Sequence, residues 1–453
     1  MARKTQASPK SGSNPVPSTS NPAPGKLTLS NGVRVLVDKT NAYRSISLCI
    51  CLVGGSSDET IASAGLTHLL EHLLFKRTKT LNPREIACRI DYLGGEINAF
   101  TDSDSLCLHA QIPQSLLEEL FAFISSLLLD FACNDSDLTL EQSVIRQEIL
   151  EAEDDPSDSV YRVFAEHFWP SSMLALPVYG TKENVQGFKL SEAQMRLDEL
   201  LCGQRLLIAA AGNIELEELA RLGEKYFGCL PQGKAFELGY YPTHNPQKRH
   251  VEPKFGGCFS VIRPVSQVHL LLGRPWPSIR CPDYYTGLIV SSALGSGMSS
   301  RLFQLLREEK GLAYDIAADI DAYPDTGALL LSGVIERKNI NKGLTLIHDL
   351  FVELLQFGLS DEEHQRVLSM LTAQLNMEFD SLSSRMWRLL ESELYFGEYR
   401  STQRAESRLR AITADDIARF ISHWLPAGEG MLVLGGDIDG FSLSQSARRC
   451  YQE

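Results

Sequence analysis

One closing unit occurs twice in this chain, and that repetition limits the fold more than any other feature. In the first half, LSEAQ offers Ser191 as a helix N-cap with Gln194 three residues on, a capping-box spacing. After that helix, the apolar run RLLIAAAGNIE ends in Gly212, Asn213 and Ile214. In the second half, Thr413 and Asp416 of ITADD take the same places. The helix IARFISHWL follows, and MLVLGGDID ends in Gly436, Asp437 and Ile438. The earlier segments agree. Each half opens with an apolar strand (SISLCICLVGG; VHLLLGRPW) and a helix entered through small residues. A pair of strand-like runs comes next, EINAFT and SLCLHAQI in one half, AYDIAADID and GALLLSGVI in the other.

A chain of 453 residues has room for two domains of ~100–200 residues each. Residues 1–25, rich in Pro, Ser and Asn and without an acid, offer nothing to bury and are expected to form a disordered tail. Residues 233–254 are polar, Pro-bearing and aperiodic, as a linker is. The expected organisation is therefore α+β, with two homologous domains, 26–232 and 255–453. Each would be a mixed β-sheet with helices packed on one face.

Composition narrows the function. The net charge is −14, and no basic block stands out beyond the first few residues. Nucleic acid and anionic membrane surfaces are therefore not expected partners. No apolar run approaches the ~20 residues of a membrane span. The ten cysteines include no CxxC pair. Cys49 and Cys51 alternate along one strand and read as buried free thiols. With no apolar core of a secretory signal, a reducing compartment is expected, the cytoplasm or an organelle matrix.

The sharpest chemical signal is GLTHLLEHLLF. On a helix, His68 and His72 are one turn apart on one face, where both imidazoles can reach one ion. Glu71 leans towards the same face. This is the H-x-x-E-H pattern, the inverse of the commoner zinc helix. Two neutral imidazoles and one carboxylate give zinc three ligands and leave a fourth place for water. A nearby carboxylate can then take that water's proton. The third ligand is sought in SDLTLEQSVIRQEILEAEDDP, a helix with Glu141, Ile145 and Glu148 on one face. Glu141 and Glu148 are ~10 Å apart along its axis, so both cannot hold one ion, and Glu151 is a further candidate. Helical geometry alone does not choose among them.

With these motifs in order over residues ~26–453, the chain resembles the insulysin, pitrilysin and mitochondrial-processing-peptidase family of zinc endopeptidases. EQSVIRQE is similar to the family's third-ligand stretch, with Glu148 76 positions after His72. The resemblance implies Glu148 as ligand and Glu141 as a supporting acid, with one Zn2+ per chain and Glu71 as the catalytic base. GGEINAFT resembles the family's edge strand, which implies that Asn98 and Ala99 face an extended peptide substrate. Asp104 stands where the family carries a glutamate. LGSGMSSRLFQLLREEKGLAYDI resembles the segment whose Arg and Tyr, here Arg307 and Tyr314, clasp the substrate from the opposite half of a closing chamber. The second half lacks H-x-x-E-H, and RLFQLLREE is read as standing in its place.

The family's chamber needs four such domains, and this chain supplies two. A homodimer is therefore implied, or a heterodimer with a related chain. The implied activity is hydrolysis of short or unfolded peptides. The two rival readings are a peptidase dedicated to one precursor and a non-catalytic assembly subunit, whose mark would be a degraded metal motif.

Overall fold

The computed structural model describes residues 23–170, 172–234, 252–426 and 428–451. The expected tail and linker lie mostly outside these residues. Apolar alternation produces two sheets. The first contains β1 (Gly25–Thr28), β2 (Arg34–Lys39), β3 (Ser45–Val53), β4 (Glu96–Thr101), β5 (Ser105–Pro113) and β6 (Leu206–Gly212), in the order β1-β2-β6-β3-β5-β4. The second contains β7 (Cys258–Ile262), β8 (Gln267–Pro275), β9 (Ala313–Ala322), β10 (Gly327–Glu336) and β11 (Met431–Gly436), in the order β7-β11-β8-β10-β9.

The two sheets repeat one topology. β2 runs parallel to β6, and the pairs through β3, β5 and β4 are antiparallel. β7 likewise runs parallel to β11, with antiparallel pairs through β8, β10 and β9. Both sheets end in an edge strand, β4 in one and β9 in the other.

The helices of the first half are α1 (Leu66–Leu74), α2 (Pro83–Leu93), α3 (Leu117–Leu129), α4 (Asp135–Asp154), α5 (Pro156–Phe168), α6 (Lys182–Gly187), α7 (Leu190–Leu200) and α8 (Leu216–Phe227). The second half adds α9 (Tyr284–Gly295), α10 (Ile340–Phe357), α11 (Asp361–Glu378), α12 (Leu382–Phe396), α13 (Thr402–Ala411) and α14 (Ala414–Trp424).

Along β3, Leu48, Ile50 and Leu52 enter the main core of the first half, while Cys49, Cys51 and Val53 point to the other face. That other face is covered by α12 from the second half, through Leu382, Met386, Leu389, Leu390 and Leu394. Each such burial contributes about 1.5–3 kcal/mol. The exchange is reciprocal. α5, from the first half, lays Val160, Phe164 and Phe168 on the second sheet against Leu271, Leu330 and Val433. Gly273 makes room for it, since a Cβ there would lie 2.0 Å from the Phe164 ring. Each sheet thus carries its own helices on one face and one helix of the other half on the opposite face.

Three local expectations are corrected. α7 starts before Ser191: Lys189 is its N-cap, and Glu192 accepts the Lys189 backbone N–H at 2.8 Å. The glutamate satisfies the terminal amide, so the serine sits within the helix. Second, β1, β2 and β7 precede the strands expected to open each half; β1 and β7 only alternate between half-buried and exposed, whereas β2 is buried. Third, element order makes α9, YYTGLIVSSALG, the counterpart of α1. RLFQLLREE falls one element later, in a segment whose Phe303–Glu309 stretch is π-helical, with Lys310 N–H bonded to Leu305 C=O. Neither stretch carries H-x-x-E-H.

Candidate metal centre

The helix α1 is fixed at its start by a turn that only glycine takes easily. Gly65 has φ +95°, and a Cβ there would meet the Tyr179 carbonyl at 2.6 Å. The buried Glu59 carboxylate accepts the backbone N–H groups of Gly65 (2.8 Å) and Thr67 (2.6 Å), favourable contacts at a helix N-terminus. Arg196 donates from Nε to Thr67 Oγ1 at 3.0 Å and also reaches Asp58 and the Gly54 and Gly55 carbonyls. Leu69, Leu70, Leu73 and Leu74 are fully buried. His68, Glu71 and His72 therefore stand together on the side of α1 the core leaves open.

α4 lies against that side. Asn134 caps it by accepting from Ser136 and Asp137, and Ile145 and Ile149 pack with Leu66, Leu69 and Leu73 of α1. The two glutamates seven residues apart meet different nitrogens of one ring. Glu141 Oε2 lies 3.1 Å from His72 Nδ1. Glu148 Oε2 lies 3.6 Å from His72 Nε2 and 4.0 Å from His68 Nε2. Among the described residues, His68, His72 and Glu148 form the one group of three donors within 4.8 Å of one another. Glu151 is not part of it.

The donor set fits zinc. Ligand bonds of ~2.0–2.2 Å in tetrahedral array place ligand atoms some 3.4 Å apart, close to the separations seen here. Burial, aided by the neighbouring His72 ring, lowers the His68 pKa to about 4, so its imidazole is neutral and free to bind a metal. Burial works against protonating His72 too, but the Glu141 hydrogen bond and the carboxylates of Glu148 and Glu71 outweigh it and raise its pKa. The three carboxylates therefore favour positive charge at the His72 ring. Glu141 is buried and also pairs with Lys76 at 2.8 Å. Its oxygen at Nδ1 leaves Nε2 for the metal, the usual arrangement of a carboxylate behind a metal-bound histidine.

Glu71 accepts a hydrogen bond from Thr101 Oγ1 of β4 at 2.7 Å. Burial raises its pKa, opposed by the Thr101 bond and His72. β4 is an edge strand with Asn98 exposed and the Ala99 side chain in the core, so what Ala99 offers a ligand is its backbone. Arg307 and Tyr314 meet one another, with the guanidinium carbon 5.1 Å from the Tyr314 ring and 4.7 Å from that of Phe303. Tyr314 is 78% exposed. Among the described residues, neither is bonded to the His68–His72–Glu148 group. Sequence reasoning missed Glu59, Lys76 and Arg196, because their distances along the chain from the groups they hold follow no fixed period.

Residues 34–182 match the family model described as insulinase (peptidase family M16), and residues 199–371 match the peptidase M16 inactive domain. An uncharacterized zinc protease of Mycobacterium tuberculosis (strain H37Rv) is 30% identical over 427 residues, 94% of this chain and 96% of the relative. The uncharacterized zinc protease YmxG of Bacillus subtilis (strain 168) is 27% identical over 86% of this chain and 93% of its own length. Among solved structures, a protease from Helicobacter pylori superposes with a TM-score of 0.81 at 18% identity, covering 91% of this chain and 99% of the other.

Proposed function

This chain belongs to the insulinase family, peptidase family M16, and from that premise we propose that it is a zinc endopeptidase acting on short or unfolded peptides inside a chamber formed by two chains. The observation that carries the reading is the convergence of His68, His72 and Glu148 beside Glu71. These three would hold one zinc ion per chain, which when bound supplies Lewis acidity to a peptide carbonyl and to a water molecule.

The rest is done by side chains and backbone. Glu71 takes a proton from the attacking water and delivers it to the leaving amine nitrogen. Thr101 holds that carboxylate in place. The free edge of β4, at Asn98 and Ala99, pairs with the substrate backbone, which gives affinity with little sequence selection. Arg307 and Tyr314, preassembled by their stacking contact, hold the peptide from the second half. A homodimer supplies the four domains of the chamber.

The test combines zinc analysis, peptide cleavage and light scattering. Glu71→Gln is expected to keep its zinc and lose cleavage of a panel of unrelated peptides by about 10²–10⁴-fold. His68→Ala is expected to lose zinc as well. Undiminished cleavage by Glu71→Gln overturns the mechanism, and full activity from a monomer overturns the two-chain chamber.

A further inference from the structure

Two chemistries share one stripe of α10. Leu346, Leu350 and Phe357 follow one another at helical spacing, with Asp349 and Glu353 set among them. The neighbouring face, with Ile347, Phe351 and Leu354, fills the core of the second half, whereas Phe357 is 71% exposed. Opposite the stripe stands the π-helical stretch Phe303–Glu309, which contributes Leu305 and Glu309. Between these two ridges runs an open groove of about 700 Å³. It shares no residue with the His68–His72–Glu148 group.

The groove has an apolar floor and an acidic rim. Leu350 is buried and Leu305 and Leu346 are half-buried, while Asp349, Glu353 and Glu309 are exposed. The rim keeps most of its charge. Arg301, the cation of the wall, is forked onto Glu363 and lies 3.8 Å from Glu353, beyond hydrogen-bond reach. Glu309 is 3.9 Å from Lys310, its neighbour in the chain. Asp349 makes no ion pair among the described residues. With Arg301 and Glu363 cancelling one another, three carboxylates stand around exposed apolar surface.

We propose that this groove docks a basic amphipathic helix of a partner protein. A helix laid between two ridges buries its apolar face in the groove, read out at i, i+3 or i+4 and i+7. Leu346 and Phe357 are eleven residues apart on α10, about 16 Å along its axis, which matches about three turns of a partner helix. Its leucines would enter against Leu305, Leu350 and Phe357. Lysines or arginines flanking them would reach Asp349, Glu353 and Glu309 in charge-assisted contacts. An acidic helix would set like charges together, so the rim also selects. A small cation would use the rim alone and leave Phe357 in water. The apolar floor is what calls for a peptide.

The test is fluorescence anisotropy with a labelled helical peptide of alternating leucine and lysine faces. The full-length Glu71→Gln protein is titrated into it, so that the probe is not consumed. Saturable binding is expected, weaker at higher salt. Glu353→Lys and Phe357→Ser, both changes at exposed positions, should each lower affinity at least tenfold with the thermal midpoint unchanged. Asp349→Lys should do the same if either of these folds poorly. The same peptide with glutamate in place of lysine should not bind. Absence of saturable binding, equal binding of the glutamate peptide, or affinity unaltered by the groove variants overturns the proposal. So does displacement of the probe by an extended neutral peptide, which would put it at the histidine helix. Conversion of a dimer to a monomer by Phe357→Ser would assign the groove to a second copy of the chain and overturn it as well.

Discussion

Glu141 holds the His72 imidazole from behind, its Oε2 3.1 Å from Nδ1 and its side chain 2% exposed. Glu148 approaches the same ring at Nε2, 3.6 Å away. One helix thus supplies both a candidate ligand, Glu148, and the carboxylate that orients a second candidate, His72. Their seven-residue separation is what lets them take opposite nitrogens of one ring.

Zinc affinity should therefore respond differently to the two glutamates. Glu141→Ala is expected to weaken zinc by about 10–100-fold, the usual cost of losing an orienting carboxylate. Glu141→Gln, which keeps an acceptor for Nδ1, should be milder. Glu148→Ala removes a ligand atom and should cost more than either. Competition with a chromophoric chelator measures all three. Equal affinities in wild type and Glu141→Ala would show that Glu141 orients nothing.

Thr101 gives a test of positioning at the proposed base, Glu71. Its hydroxyl donates to Glu71 Oε2 at 2.7 Å. Thr101→Val keeps the shape and removes the donor. We expect kcat to fall roughly tenfold, about 1.4 kcal/mol of barrier, with KM and zinc content unchanged. A fall in zinc content instead would mean that Thr101 supports the fold of α1 and not the carboxylate.

These groups were legible to very different degrees. The spacing of His68, Glu71 and His72 could be read from residue numbers because an α-helix converts short spacing into a shared face. Helical spacing left Glu141, Glu148 and Glu151 open, since the choice depends on where α4 crosses α1. β7 was invisible because its burial alternates only between half-buried and exposed. The placing of RLFQLLREE failed for a related reason, as a π-helical stretch breaks the 3.6-residue period. The exchange of α5 and α12 left no local mark at all. Leu389 and Leu390 read as apolar residues of any helix, and only the folded chain shows that they cover Ala209 and Ala211.

That exchange carries a buried ion pair, with its own prediction. Arg385 on α12 donates to Asp38, the residue after Val37 on β2, at 2.6 Å, and both side chains are about 5% exposed or less. Burial raises the Asp38 pKa despite Arg385, so forming this pair is not itself strongly stabilising. Breaking it is another matter. Asp38→Ala should cost about 3–5 kcal/mol by taking its carboxylate away from a buried guanidinium. Asp38→Leu/Arg385→Met should cost less than Asp38→Ala. Urea titration of the three proteins checks the order. A double variant as unstable as the single would mean that packing of α12, not the lost carboxylate–guanidinium contact, sets the loss.

A second ion pair makes stability depend on pH. Arg301 forks onto Glu363, with Nε to Oε1 at 2.6 Å and an amino group to Oε2 at 2.8 Å. It thereby ties the segment leading to Arg307 to the start of α11. The Arg301 hydrogen bond, opposed by burial and aided by the Ser360 N–H, holds the Glu363 pKa at about 2, below its ordinary 4.5. For a carboxylate with a depressed folded-state pKa, the stability gained is complete above the ordinary value and is lost as pH falls towards the folded one. Glu363→Gln should therefore lower stability at pH 7 by ~1 kcal/mol once solvent screening is allowed for, read as a lower thermal midpoint. The gap between variant and wild type should close between pH 5 and pH 2. A gap of the same size at pH 2 would assign the loss to the shape of the glutamine and not to the missing charge.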